Sequence, residues 1–334
     1  MEQLMKAIIR SAKGLEFSTA PQPVKAEAGH LLMKMICCGI NPGDLAFIHR
    51  PLPPGSVLSL YNIHGVSGVG EVLDIGEGVP GSYRGKKVTM YRSLSPSERM
   101  VGTWSTYAHV PYLDCVILPD NVQPEEYAGS MVNIITPYAF LKQVIAEGHR
   151  GIISTAGTSA TGIAMVGICN YFDFPLISIV RKKEGKAALD ALGAKNVVVR
   201  EEASFKTDLT ERAKALGTTA IFDGVGGEVL NDIIDAIPPF STIFSYGYLG
   251  DDTPLTIQLR TLTAKGLTIR PFANFRTPTV QNPANLALAL EEIGRFIDRP
   301  HFKTKVGKKF GLEEIEAALA FSDPTGGKAI LDPA

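Results

Sequence analysis

The 334-residue chain carries a net charge of −1, and 45 % of its residues are hydrophobic and 20 % charged. This length exceeds one ordinary core and predicts two domains, while the near-zero charge gives no indication of a nucleic-acid or membrane partner. No stretch is long enough to cross a bilayer, and the first residues lack the apolar core of a signal peptide. The 4 cysteines form no C-x-x-C pair, which is usual in a reducing compartment. We therefore expect a cytoplasmic protein.

The first 123 residues predict a β-rich domain. Short apolar runs separated by frequent Gly and Pro indicate strands at residues 5–10, 31–37, 65–75, 87–91, 107–110 and 116–118. Many short strands with turns between them are typical of a small barrel rather than of a parallel sheet.

From residue 124 the pattern changes to helices, predicted at 124–133 and 137–147 on either side of Thr136-Pro137. Strands and helices then alternate. The predicted strands are 152–155, 176–180, 196–199, 220–223, 242–246 and 267–272, and the predicted helices are 162–172, 186–192, 209–216, 229–237 and 255–264. Six strands alternating with helices predict a doubly wound parallel sheet, with a ligand crevice at the carboxyl ends of the strands.

The alternation ends after residue 275. Two helices, at 285–297 and 312–320, and a terminal strand at 329–331 follow, and we expect them to return to the first domain. The predicted domains are therefore 1–123 with 274–334, and 124–273. The ligand cleft is expected between the two domains.

The turn after the first strand of the parallel sheet consists of small residues, namely Ala156, Gly157, Thr158, Ser159, Ala160 and Thr161. A pyrophosphate can approach the backbone N–H groups at a helix start only where no bulky side chain intervenes. Ala156, Ser159 and Gly162 occupy the three spaced positions of G-x-G-x-x-G, so the usual fingerprint is not met in full. The turn predicts a dinucleotide coenzyme. A small-residue turn without a ligand is the alternative.

The end of the second strand indicates which nucleotide binds. NAD sites usually carry an acid there for the ribose 2′-hydroxyl, whereas this strand ends in Arg181, Lys182 and Lys183. Arg and Lys neutralise a 2′-phosphate, so the sequence predicts NADPH bound through Arg181 and Lys182. A solvated basic loop is the alternative.

Several motifs together resemble those of one family. They are residues 38–44 (CGINPGD), 65–72 (GVSGVGEV), 102–108 (GTWSTYA), 192–194 (LGA) and 223–227 (DGVGG). In these segments the chain is similar to medium-chain dehydrogenase/reductases, in their zinc-independent quinone oxidoreductase and 2-enoyl thioester reductase branch. The resemblance implies an α/β fold that combines a GroES-like β-barrel domain with a Rossmann domain, whose doubly wound parallel sheet has six strands. It also implies a homodimer, which would cover the apolar edge strand predicted at 267–272.

The resemblance excludes the zinc chemistry of the wider family. Zinc alcohol dehydrogenases place a Cys where this chain has Asn41, and G-H-E where it has Gly65-Val66-Ser67. The cysteines of the structural zinc lobe are missing too, and His64 stands alone. Catalytic zinc needs three good protein ligands, so we expect no metal.

Site residues follow from the matching positions. Asn41 is expected beside the nicotinamide, where its amide could donate to a substrate carbonyl or hold the ribose. The family's coenzyme contacts fall on Thr136, Gly224, Tyr246, Gly247, Tyr248 and Phe272 of this sequence. Enoyl thioester reductases use a Tyr about twelve residues after the Asn-Pro, a stretch that has none here. Tyr61 is the nearest candidate, and a rim or packing role is its alternative.

The function predicted from these residues is metal-independent hydride transfer from NADPH to a small-molecule quinone or α,β-unsaturated carbonyl, because the substrate carbonyl itself accepts the developing charge. Two alternatives stay open. One is a 2-enoyl-CoA or acyl-carrier thioester reductase, which residues 102–104 (GTW) favour. The other is an NADPH-binding sensor with little catalysis, with which the imperfect turn and the missing proton donor are compatible.

Overall fold

The computed structural model describes residues 3–11, 14–41, 44–45, 59–91, 99–323 and 325–334. Contacts between Cα atoms divide the chain into two compact units. The first consists of Met1–Ile135 and Val280–Ala334, and the second of Thr136–Thr279. The sequence-based boundaries after residues 123 and 273 stay predictions.

Strands dominate the first part of the first unit. They are β1 (Leu4–Ser11), β2 (Gly14–Pro21), β3 (His30–Gly39), β4 (Gly68–Ile75), β5 (Lys87–Met90), β6 (Tyr107–Pro111) and β7 (Cys115–Ile117). β1 and β2 form an antiparallel pair, while β3 pairs antiparallel with both β4 and β6. β3 has this central position because its side chains are almost all apolar, and all but three of its ten residues are buried. The predicted β-rich first domain is confirmed.

The second unit holds the doubly wound sheet. Its elements are α1 (Met131–Ala146, shared with the first unit), β8 (Ile152–Ser154), α2 (Ala160–Tyr171), β9 (Leu176–Val180), α3 (Lys183–Ala191), β10 (Val197–Val199), α4 (Phe205–Leu216), β11 (Ala220–Asp223), α5 (Gly227–Ile233), β12 (Thr242–Ser245), α6 (Leu259–Lys265), β13 (Thr268–Pro271) and α7 (Pro278–Gln281). The strand order is β10-β9-β8-β11-β12-β13, and each pairing is parallel. The predicted six-stranded parallel sheet is confirmed. Its order reverses between β8 and β11, where ligands bind in folds of this kind.

The chain then returns to the first unit through α8 (Pro283–Gly294), β14 (Val306–Gly311), α9 (Ile315–Ala320) and β15 (Lys328–Asp332). β15 pairs antiparallel with β3 and parallel with β14, which completes a seven-stranded sheet. These pairings join the C-terminal segment to the sheet of the first unit. Their consequence is that residues near 40 and near 328 become neighbours.

Two strands of the first unit were not predicted. Only one of the eight residues of β2 is buried, and β14 begins Val-Gly-Lys-Lys with five of its six residues outside the core. Neither segment carries the apolar run or strict alternation that indicates a strand. Backbone pairing with β1 and β15 determines their extended conformation instead.

α1 corrects the prediction of two helices separated at Thr136-Pro137. Pro137 lies inside the continuous helix, although a proline costs one backbone hydrogen bond and crowds the preceding turn. The residues after it, including Phe140 and Leu141, are fully buried. Phe140 packs against Phe222 and Phe244, with ring centroids 4.3 and 4.9 Å away. This burial outweighs the local cost, because it contributes roughly 1.5–3 kcal/mol for each large apolar side chain.

The helix predicted at 255–264 starts only at Leu259. Leu255 and Ile257 both pack against the core of the second unit. Their spacing of two places them on one face of an extended segment, not of a helix. The backbone N–H of Thr256 donates to the side-chain oxygen of Asn231 over 2.8 Å, which holds this segment extended.

Candidate active site

The turn between β8 and α2 is built by close backbone approach. Ser159 caps α2: its Oγ accepts from the backbone N–H of Gly162 over 3.0 Å and donates to the carbonyl of Ala156 over 2.8 Å. A Cβ on Gly162 would lie 2.1 Å from the Ala156 oxygen, and one on Gly157 would lie 2.7 Å from the Ile179 oxygen. Both positions therefore require glycine. The helix start is left lined by small side chains, a shape that fits a coenzyme pyrophosphate.

A second set of hydrogen bonds, which the sequence patterns did not predict, fixes this turn. Thr155 donates from Oγ1 to Oδ1 of Asp223 over 2.7 Å and accepts from the backbone N–H of Gly224 over 3.1 Å. The same Asp223 oxygen accepts from the backbone N–H groups of Val225 and Gly226. Thr155 and Asp223 are both buried. The ends of β8 and β11 are thereby locked together where the strand order reverses. The only sequence signal was the acid at the end of a predicted strand.

The basic residues predicted to select NADPH lie at the end of β9. Arg181 is exposed, and its Nε donates to Oε1 of Glu201 over 3.2 Å. Lys182 occupies the N-cap position of α3 and is exposed, and Lys183 pairs with Glu202 at 3.5 Å. The cations are therefore accessible to a phosphate, but two glutamates at the start of the next loop compete for them.

Arg200 lies one residue beyond β10, and its guanidinium is already engaged. Its Nε contacts Asp232 and its Nη1 contacts Glu228, each at 2.6 Å. Hydrogen bonds to both acids raise the pKa of Arg200 despite its partial burial. Two carboxylates on one guanidinium leave no net positive charge there, so Arg181 and Lys182 are better placed than Arg200 to attract a 2′-phosphate.

The remaining predicted coenzyme residues of the second unit differ in exposure. Tyr246 stacks on Phe222 with ring centroids 3.9 Å apart, and burial raises its pKa. Phe272 is buried against Phe140 and Phe222, whereas Tyr248 is 88 % exposed. Gly224 and Gly247 approach each other closely, since a Cβ on Gly247 would lie 3.2 Å from the Gly224 oxygen.

Thr136, in α1, accepts through Oγ1 from the Nδ2 of Asn274 over 2.7 Å. This bond ties α1 to the segment that follows β13. The predicted roles of the coenzyme residues stay predictions, since they concern contacts with a bound molecule.

In the first unit, Asn41 lies at the centre of a buried polar cluster. Its Nδ2 donates to Oγ of Ser67 over 3.0 Å, and its Oδ1 accepts from Nζ of Lys328. Its backbone N–H donates to Oδ2 of Asp44 over 2.7 Å. Lys328 also contacts the carbonyl oxygen of Gly129 at 3.4 Å. We call Asn41, Asp44, Ser67 and Lys328 the Asn41 cluster.

Burial perturbs the two ionisable members of this cluster. Desolvation raises the pKa of Asp44 to about 7, although its hydrogen bond from the Asn41 backbone and the charge of Lys328 oppose the shift. Desolvation lowers the pKa of Lys328 to about 8, against the opposing attraction of Asp44. Perturbed groups of this kind concentrate at functional sites. Lys328 was missed by sequence reasoning, because nothing in its local pattern connects it with Asn41.

Two glycines bring the chain close enough to form this cluster. A Cβ on Gly39 would lie 2.7 Å from Cα of Gly129, and a Cβ on Gly129 would lie 3.3 Å from Oδ1 of Asn41. The backbone N–H of Gly39 donates to the Ala128 carbonyl over 3.1 Å. The end of β3 therefore lies directly on residues 128–129, and Asn41 is held with little freedom.

The Gly102-Thr103-Trp104 motif contacts Ser67 of the Asn41 cluster. Trp104 is fully buried, and Thr103 donates from Oγ1 to the carbonyl of Ser67 over 3.0 Å. Gly65 has φ +101°, and its missing side chain leaves room for Thr103 and Trp104. The motif positions Ser67 through packing, and its tryptophan presents no surface to a substrate.

Tyr61 lies in a short 3-10 turn, Leu60–Asn62, with φ 59°, and its side chain is 42 % exposed. Its predicted catalytic role stays a prediction. The residues before it, 46–58, which include the stretch where enoyl thioester reductases carry their tyrosine, lie outside the described part of the chain.

The donor set of the Asn41 cluster does not suit zinc. An amide, a hydroxyl, one carboxylate and an ammonium supply neither thiolate nor imidazole. Across the described ranges, no group of three or more His, Cys, Asp or Glu side chains could hold a metal ion. Burial raises the pKa of the Cys38 thiol well above its usual value, which disfavours a thiolate there.

Comparison with known proteins agrees with both units. The alcohol dehydrogenase GroES-like domain family matches residues 27–120, and the zinc-binding dehydrogenase family matches residues 160–290. The bovine mitochondrial enoyl-[acyl-carrier-protein] reductase is 28 % identical over 254 residues, which cover 73 % of this chain and 64 % of that protein. The chain thus spans less than two thirds of this relative's length.

Solved structures extend the likeness to the whole chain. A presumed NADPH:quinone reductase from Mesorhizobium loti is 25 % identical with a TM-score of 0.72, covering 100 % of this chain and 99 % of that one. A mycobacterial protein complexed with NADPH is 20 % identical with a TM-score of 0.70, covering 98 % and 100 %. At 20 % identity, the likeness to the mycobacterial protein shows the fold alone.

A GroES-like sheet and a six-stranded Rossmann sheet with a glycine-dependent turn define a two-domain nucleotide-binding dehydrogenase fold, as the sequence predicted. The chain belongs to the medium-chain dehydrogenase/reductase superfamily. Within it, the likeness is to the quinone oxidoreductases and enoyl thioester reductases. None of the helices described has the length and apolar character needed to cross a bilayer. The cytoplasmic location stays a prediction.

Proposed function

We propose that the protein is an oxidoreductase that reduces a quinone or an α,β-unsaturated carbonyl with NADPH and without a metal. The observation that carries the proposal is the Asn41 cluster, in which an amide replaces the cysteine of the zinc enzymes and is held by Ser67 and Lys328. An amide N–H can donate to a substrate carbonyl oxygen as negative charge develops on it. Such a site requires no electrophilic metal.

The coenzyme half of the proposal rests on the turn between β8 and α2. When bound, NADPH supplies the hydride. The backbone N–H groups at the start of α2 would hold its pyrophosphate, and Arg181 with Lys182 would neutralise the 2′-phosphate. The mycobacterial structural neighbour was solved in complex with NADPH, and this motivates the choice of NADPH as the coenzyme here.

Thioester reduction is the second candidate, favoured by the likeness to the bovine enoyl-[acyl-carrier-protein] reductase. The Gly102-Thr103-Trp104 motif does not strengthen this candidate, because Trp104 is a core residue. Both substrate classes present a conjugated carbonyl, so the Asn41 amide would serve either. An NADPH-binding sensor is the third candidate, and no described contact favours it over catalysis.

NADPH oxidation followed at 340 nm separates the candidates. The probes are 1,4-naphthoquinone, cyclohex-2-enone and trans-2-hexenoyl-CoA, each with NADPH and then NADH. We expect turnover of the quinone or the enone, faster with NADPH and unchanged by EDTA. Turnover of the thioester alone would favour the second candidate. Tight NADPH binding without any turnover would favour the sensor.

We also propose a homodimer formed through β13. This strand is the edge of the parallel sheet, and Ile269 on it is 42 % exposed. An exposed edge strand offers unpaired backbone groups to another strand. Pairing of two copies across a two-fold axis would satisfy those groups and cover Ile269.

A further inference from the structure

Lys328 determines which way the Asn41 amide faces. The two ends of an amide differ only in which atom donates and which accepts, so neighbouring groups decide the orientation. A lysine ammonium can only donate, and Lys328 Nζ contacts the amide of Asn41. The amide oxygen must therefore face Lys328, and the NH2 group must face Ser67, which lies 3.0 Å from Nδ2.

We propose that Lys328 is a positioning residue that acts through Asn41, holding its amide so that the NH2 group is presented as the donor of the active site. The inference rests on the proposed function, in which that NH2 group stabilises a substrate carbonyl. One N–H of the group bonds to Ser67. The side chain of Asn41 also contacts the carboxyl of Asp44, so the substrate carbonyl would take over the second N–H from Asp44. A flipped amide would present an oxygen and repel the developing charge.

The surroundings of Lys328 support a held ammonium rather than a freely moving side chain. Its Nζ lies 3.4 Å from the Gly129 carbonyl, and a Cβ on Gly129 would lie 3.5 Å from Cδ of Lys328. Asp44 is the charged group whose attraction acts on it, and burial opposes that attraction. Because burial lowers the pKa of Lys328 to about 8, the ammonium is present below that pH and is lost above it. The orientation of Asn41 should then weaken in the same range.

A double-mutant cycle tests whether Lys328 acts through Asn41. Lys328→Met should lower kcat about tenfold or more, the loss typical of one hydrogen bond to a charged group. Lys328→Arg should restore much of it. In the Asn41→Ala background, Lys328→Met should cause no further loss. Lys308→Met, on the exposed face of β14, serves as the matched control and should match the parent protein.

Two outcomes of the cycle would overturn the inference. One is that the decreases in kcat caused by Lys328→Met and by Asn41→Ala multiply in the double variant. The other is that Lys328→Met mainly weakens NADPH binding, measured by coenzyme fluorescence, which would mean that Lys328 binds the coenzyme directly.

A readout independent of turnover uses the side-chain amide of Asn41 itself. Its ¹⁵NH2 resonance, assigned by its loss in Asn41→Ser, should shift with a midpoint near pH 8, the pKa of Lys328. The shift near pH 8 should vanish in Lys328→Met, whereas any shift caused by Asp44, whose pKa is about 7, should remain. A resonance insensitive to pH from 7 to 9 in the parent protein would refute the inference even if Lys328→Met failed to fold. If the protein reduced none of the probes, the proposed function would fail, while this titration would still decide the role of Lys328.

Discussion

Thr155 donates its hydroxyl proton to the buried carboxylate of Asp223 over 2.7 Å, and this bond joins the ends of β8 and β11. The two residues are 68 positions apart in the chain. Because the same carboxylate oxygen receives two backbone N–H groups, the bond sets the shape of the loop after β11 as well as that of the coenzyme turn.

Thr155→Val should therefore destabilise the protein. The substitution keeps the volume but leaves a buried carboxylate oxygen and the N–H of Gly224 each short of a partner, at a cost of roughly 1.5–3 kcal/mol. Urea unfolding measures the loss, and Thr155→Ser, which keeps the hydroxyl, is the control. Equal stability of the valine and serine variants would show that the bond contributes nothing.

Arg181→Ala should reduce the preference for NADPH. Losing one phosphate contact of this kind costs roughly 1.5–3 kcal/mol, so the KM for NADPH should rise about tenfold or more, with that for NADH little changed. Lys195→Ala removes an exposed cation paired with Asp173 and serves as the control.

Glu201→Gln should act in the opposite direction. Glu201 pairs with Arg181 at 3.2 Å, so neutralising it releases the guanidinium for the phosphate. NADPH binding should tighten. An unchanged ratio of the NADPH and NADH constants in both Arg181→Ala and Glu201→Gln would contradict the assignment of the basic cluster.

Asp44→Asn should change how stability depends on pH. Because burial raises the pKa of Asp44 to about 7, the folded protein binds more protons than the unfolded chain between about pH 4 and 7. Asp44 therefore makes the folded protein less stable as pH rises through that window. Urea unfolding at pH 5 and 7 should show the parent protein losing stability relative to Asp44→Asn. A constant difference between the two proteins would mean that Asp44 has an ordinary pKa.

Tyr61→Phe tests the predicted proton donor. If the phenol delivers the proton, kcat should fall about 10²-fold or more, as for other general acids. If Tyr61 is instead a partly exposed rim residue, Tyr61→Phe should leave kcat unchanged. Tyr61 would then have no part in the mechanism. Tyr107→Phe, at a partly buried tyrosine of β6, controls for loss of a hydroxyl elsewhere in the same unit.

Ile269→Lys should give a monomer if β13 forms the dimer interface. A charge at a paired apolar edge opposes association, while the fold should persist because Ile269 is already partly exposed. Light scattering at micromolar concentration measures the molar mass of both proteins. A monomeric parent protein would contradict the proposed dimer.

Local patterning was enough to predict the six parallel strands and the β-rich first domain, because hydrophobic period and turn residues are encoded within each segment. It failed at Pro137, where burial of Phe140 and Leu141 overrides a local helix breaker. It also failed at β2 and β14, whose extended form comes from neighbouring strands.

The sequence by itself determined that a small-residue turn precedes α2 and that basic residues end β9. Through the family resemblance it also predicted that Asn41 stands where the zinc enzymes have a cysteine. Only the tertiary structure decided what holds these groups. Lys328 reaches Asn41 across 287 positions because β15 pairs with β3, and Asp223 reaches Thr155 because β11 pairs with β8. Strand pairing brings together residues that are distant in the chain, and no local periodicity records it.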